Sequence, residues 1–215
     1  MIARKWVGTI LAGCLTLGFA LSPVVAQEPI GGNARPVASV QARARVALLP
    51  VINFSGEKDD KQRRDQIAKA EEELAKQFRN RGFTLIDRAA IEQSLTDADI
   101  DLTDEEYHNR ATLYRIGKAV NAEVIAFVVI LDVDQRRVET PLDIDEMVGK
   151  AKTKMWVLDV ANEKPIVNAV RQESQSRSNI VPSLDSGARL IRKAVEGAVR
   201  DTLKPYLNQL PVAQK

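Results

Sequence analysis

Eight consecutive apolar residues, Val124-Ile-Ala-Phe-Val-Val-Ile-Leu131, constrain this chain more than any other stretch. A run that long without polar alternation suits a strand covered on both faces, so it predicts the central strand of a sheet. A second apolar run, Val46 to Phe54, has the same character. Pro50 lies inside it and carries no amide hydrogen, so it requires an edge or a bulge. Ser55 and Gly56 end that run.

Between these runs the periodicity changes. Ile67, Ala70, Leu74 and Phe78 fall on one stripe of a helix over 61–81, with Glu71, Glu72, Glu73, Lys76 and Arg79 off it. Gly82 is the expected C-terminal stop. A short strand, Phe83 to Ile86, leads at once into a helix from Arg88 to about Thr96, with Asp87 placed as its N-cap. Thr103-Asp104-Glu105-Glu106 reads as a capping box opening a helix that runs to about Val120. After the central strand, residues 132–146 (DVDQRRVETPLDIDE) read as a charged loop. Lys150, Lys152 and Lys154 then alternate with Ala151, Thr153 and Met155, as in a half-buried antiparallel strand. Ala161 to Lys164 form a hairpin turn into a strand over 166–175. Ser183 caps a last helix with the stripe Leu184, Ala188, Ile191, Val195, Ala198 and Thr202. The order is β-α-β-α-α-β-β-β-α, and it predicts an α+β fold: a single mixed β-sheet with helices packed against it.

The ends read differently. Arg4 and Lys5, the apolar stretch Trp6 to Leu21 and the small residues Val24-Val25-Ala26 make an export signal over 1–26. Pro23 and the short apolar run argue against a transmembrane anchor. Leu11-Ala12-Gly13-Cys14 also matches a bacterial lipobox, in which the cysteine becomes a lipid-carrying N-terminus. The run continues past Cys14 through Leu15, Leu17, Phe19 and Leu21 instead of turning polar, so cleavage after Ala26 is the preferred reading and lipidation at Cys14 the alternative. Residues 27–42 are a Pro, Gly and Ala-rich linker, 43–204 the folded domain, and 205–215 a polar tail. Arg4 and Lys5 are two of 31 basic residues set against 29 acidic ones, so the processed chain is near neutral. It carries no basic footprint for nucleic acid.

Reactive chemistry is sparse. The single cysteine excludes an intrachain disulfide and a cysteine metal cluster. The single histidine, His108, reads as a solvated residue on the opening turn of a helix. No G-x-S-x-G element or Walker lysine is present, and zinc lacks ligands. Asp132, Asp134, Asp143, Asp145 and Glu146 are the acids that a two-carboxylate hydrolase would draw on, but Arg136, Arg137 and Lys150 beside them suit charge balance. Trp156 reads as core, the lysine row as the wet face of a strand, and the polar run Arg171 to Ser178 as an edge open to another chain. Asp87 reads as a cap, and Arg88 as paired or pointing outward. No catalytic, cofactor or metal residues are assigned.

VALLPVINFSG, RNRGFTLIDRAAIEQSL, NAEVIAFVVILDVD and WVLDVANEKPIVNAV together resemble the bacterial CsgG-like family. That group includes the curli secretion channel subunit, PelC and LpoB, and is related to the TolB N-terminal fold. The best-matching pieces are Gly82 to Ile91, Ala122-Glu123-Val124 and Leu158 to Glu163, and the likeness spans about Arg43 to Leu203. It implies a non-enzymatic exported envelope protein, periplasmic or outer-membrane-associated, without cofactor. Such a protein works with envelope protein partners, in many cases as a homo-oligomeric ring, and touches the membrane only through a lipid on Cys14. Two narrower roles follow from the resemblance: a secretion-pore subunit and an LpoB-like activator of peptidoglycan synthesis. Pore formation needs long alternating apolar hairpins, and 132–146 and 171–183 read as short and polar, which favours an adaptor.

Overall fold

The computed structural model describes residues 44–139, 145–178 and 186–210. The export signal, the linker, Cys14 and the Ser183 cap lie outside the described residues.

The sheet is mixed, as expected. Its strands are β1 (Arg45–Leu48), β2 (Ile52–Asn53), β3 (Thr84–Leu85), β4 (Val124–Glu139), β5 (Asp145–Asp159) and β6 (Lys164–Ser178). Across the sheet the order is β3-β1-β4-β5-β6, with β2 also pairing β4. β1 lies parallel to β3 and β4, while β4, β5 and β6 form an antiparallel meander.

The apolar run behaves as its composition demands. Every residue from Val124 to Ile130 is at most 1 % exposed. Val124, Ala126, Val128 and Ile130 join one core, and Ile125, Phe127 and Val129 the other. The first core is closed by helices α1 (Asp60–Asn80) and α4 (Ser186–Leu203), the second by α2 (Arg88–Asp97) and α3 (Arg110–Ala119). Each fully buried Val, Ile or Phe contributes roughly 1.5–3 kcal/mol, so this strand is the main apolar investment of the fold.

Pro50 splits the first apolar run, and its strand is β1 plus β2 instead of one piece. Leu48 pairs Ala126 and Ile52 pairs Val129, so three residues stand against two and the chain bulges at the proline. The ladder resumes on either side, with the amides of Leu49 and Phe54 donating to Ala126 and Ile130.

α1 is capped by Asp59, which accepts from the amides of Lys61 and Gln62, and it ends before Gly82 at φ +83°. Two residues expected off its apolar stripe turn inward. Glu73 is buried, hydrogen-bonded by Gln77 and paired with Lys76, and Glu71 is half-buried. Asp87 caps α2 through the amide of Ala89, as expected.

Three readings are corrected. Thr103 to Glu106 do not open the long helix: Glu105–Tyr107 is a single 3-10 turn, and α3 starts at Arg110 behind its cap Asn109. The side chain of Asp104 accepts from Glu106, and Thr103 turns back onto Asp101, so the box motif is used up in a local turn. Residues 132–139 and 145–146 are strand, not loop, because each polar residue finds a partner across the β4–β5 hairpin. The stretch from Pro205 is no free tail as far as Leu210. Lys204–Gln209 form a 3-10 helix, Leu210 is buried, and Tyr206 and Leu207 pack on the α1–α4 core. Residues 211–215 lie outside the described residues.

Candidate interaction surface

At the C-terminal ends of β1 and β3, where a mixed or parallel sheet commonly holds its ligands, the chain leaves a cleft of about 240 Å³. Leu48, Leu74, Leu85 and Ile86 line it, with Glu71 and Arg88 at its edge. Arg88 reaches both oxygens of Glu71 at 2.9 Å and Glu92 at 2.7 Å. These partners, the Glu92 hydrogen bond first, raise the guanidinium above its ordinary pKa. Arg88 thus ties α1 to α2 through Glu71, while Asp87 caps α2.

His108 is not the solvated residue expected. Its ring lies 4.9 Å from that of Phe127, 5.9 Å from Trp156 and 6.0 Å from Phe54, and Nε2 is 2.8 Å from the carbonyl oxygen of Leu102. Trp156 is core, stacked on Phe127, and Lys154 places its ammonium 4.7 Å from the indole centroid. The sequence offered no periodic signal for His108, since its partners come from β4, β5 and the turn after β2.

Beyond this aromatic cluster the meander outruns α2 and α3, while α4 still covers its other face. Alternation therefore sorts the side chains sharply. Val133, Ala151 and Met155 face the α1–α4 core. Asp132, Asp134, Lys150, Lys152 and Glu173 share the opposite face and border a hollow of about 390 Å³. Asp132 stands opposite Lys152, which stands opposite Glu173, and Asp134 stands opposite Lys150. Lys150 donates to Glu173 at 3.3 Å, and that hydrogen bond holds the Glu173 carboxyl below its usual range. Four residues further along each strand, Arg177 meets Glu146 at 3.6 Å.

Asp132 and Asp134 each stand opposite a lysine across the strands, which balances charge along the ladder. Asp143 and the Asp145 side chain lie outside the described residues. The lysine row is the wet face, as expected, and β6 is the last strand of the sheet. Among the described residues no cluster of three His, Cys, Asp or Glu side chains forms, and no helix is long and apolar enough to cross a membrane.

No family model matches the chain, and no curated protein does. Solved structures of low identity share its outline. Lipoprotein GNA1162 from Neisseria meningitidis is 12 % identical, with 78 % of this chain and 97 % of that one covered at a TM-score of 0.44. LpoB from E. coli is 12 % identical over 82 % and 88 %, at 0.40. The PelC dodecamer from Paraburkholderia phytofirmans is 13 % identical over 77 % and 88 %, at 0.37. All three scores fall below 0.5, so no function is carried over from them.

Proposed function

We propose that the chain is an exported, non-enzymatic accessory or assembly protein of the cell envelope, acting through the open face of β4, β5 and β6. The observation that carries this reading is the extension of the meander past α2 and α3. It presents a ladder of paired charges on the open face of three strands, which suits the polar part of a protein–protein contact. The export signal read over 1–26 supports a location outside the cytoplasm.

A role in cell-wall synthesis of the LpoB type fits this adaptor surface better than a secretion pore of the CsgG type. Length is no obstacle to a pore: β4 and β5 have 16 and 15 residues, against the roughly 9–11 that a spanning strand needs. Chemistry is the obstacle. A barrel strand turns an apolar band to lipid, whereas here one face carries Asp132, Asp134 and Arg136 and the other is packed against α4.

A photo-crosslinking residue at Lys152, introduced in the native host, tests the proposal. The expected adduct is an envelope protein, identified by mass spectrometry, and adding Lys150→Glu and Lys154→Glu to the chain that carries the crosslinker at 152 removes it, provided the variant still folds. Adducts only with cytoplasmic proteins, or an adduct untouched by that double reversal, would refute the assignment.

A further inference from the structure

β6 ends the sheet, and its outer edge carries a charge pattern that complements itself. In an antiparallel pair, outward-pointing backbone groups must meet outward-pointing ones. A two-fold axis joining two copies of β6 therefore passes through a residue, never between two. Placed on Ser174 it sets Arg171 against Arg177, and on Glu173 it sets that carboxylate against itself. Placed on Gln172 it lays Gln175 against Ala169, where the backbone turns left-handed at φ +55° and β6 bulges between Val167 and Val170.

One position sets opposite charges against each other across the described pairs. With the axis on Gln175, Glu173 of each copy meets Arg177 of the other, Ser174 meets Ser176, and the two glutamines face each other. Glu173 and Arg177 are already turned to the open face and joined within the chain to Lys150 and Glu146. Pairing then closes a continuous row of alternating charges across the seam. The segment from Val170 to Arg177 is regular strand without proline or glycine; its charges would keep an unmatched strand off this edge, but a second copy in this register pairs them.

We infer that two copies of this chain join edge to edge through β6, antiparallel, with Gln175 on the two-fold axis, to make one sheet running through both. The pairing is independent of the envelope role: a dimer without a client, or a client bound by a monomer, separates the two.

The test uses the processed chain purified after export, in which either processing site leaves no free thiol, since Cys14 is removed or acylated. Gln175→Cys should form a disulfide-linked dimer on mild oxidation, because directly opposed Cα atoms lie roughly 4.5–5.5 Å apart. Gln172→Cys should not, its copies being about 20 Å apart at ~3.4 Å per residue. In sedimentation equilibrium Glu173→Arg should weaken dimerisation at least ~10-fold by setting like charges opposite each other twice. Adding Arg177→Glu should restore it. A wild-type chain that stays monomeric at ~100 µM, an assembly that Gln175→Cys does not crosslink, or a double swap that fails to restore pairing would each overturn the inference.

Discussion

Gly149 sits on β5 where α4 crosses the sheet. A Cβ added there would stand 2.6 Å from the carbonyl carbon of Leu190 and 2.8 Å from the amide nitrogen of Ile191. Both are helix backbone atoms and cannot rotate away, so Gly149→Ala has to lift a turn of α4 off β5. Leu190 and Ile191, both buried, would lose packing with it. Overpacking of a well-filled core costs ~1–3 kcal/mol, and a required backbone shift places this change near the top, at about 3 kcal/mol. For a domain of this size each kcal/mol moves Tm by roughly 2–4 °C, so a fall of ~6–12 °C is expected in circular dichroism melts. Gly187→Ala is the control. The three atoms nearest its added Cβ all belong to the amide end of the exposed Gln135 side chain, which can swing aside. Alanine in the first turn of α4 adds up to about 1 kcal/mol of helix propensity, so Tm should hold or rise. A Gly149→Ala melt within a degree or two of wild type, or an equal fall for both variants, would refute the close-packing argument.

Three further outcomes are expected. Thr153 is fully buried and its hydroxyl has no hydrogen-bond partner among the described residues, so Thr153→Val should stabilise by ~1 kcal/mol in urea unfolding; a loss of that size would mean the hydroxyl is satisfied. His108→Ala should destabilise by roughly 1–3 kcal/mol through lost ring packing. His108→Phe should fall between it and wild type, since it keeps the rings but not the Leu102 contact; two variants that both melt like wild type would return His108 to the solvated surface. Asp59 is held below its usual pKa, first by the Gln62 amide and then by that of Lys61. A carboxyl depressed on folding stabilises above its unfolded pKa and loses that contribution as pH falls through the folded value. Asp59→Ala should thus lower stability at pH 7 and make it fall less steeply between about pH 5 and 3; an unchanged acid limb in pH-dependent melts would show that the cap does not work this way.

Much of the scaffold was legible in the sequence because it depends on local rules. Uninterrupted burial of Val124 to Ile130, the α1 stripe, the Asp87 cap and the bulge forced by Pro50 each follow from residues within one element. The hairpin after β5 is similar. Asp159 accepts from the amide and side chain of Asn162, and Glu163 takes a left-handed φ of +52°. The open face was only half legible. Lys150, Lys152 and Lys154 announced a wet strand by alternation, but Asp132 to Glu139 lack the apolar periodicity that marks strands. Their strand character comes from partners on β5, such as Lys152 for Asp132 and Lys150 for Asp134.

The amino-acid order alone determined the alternation of helix and strand, the doubly covered central strand and the scarcity of reactive side chains, since these rest on burial and on backbone chemistry near in sequence. Tertiary structure decided how far the meander extends, that His108 completes an aromatic cluster, and that Glu71 joins Arg88 across two helices. It also decided which charges share a face. Those features are set by register and by packing between distant segments, and a difference of one residue in register would have turned each charged side chain to the opposite face.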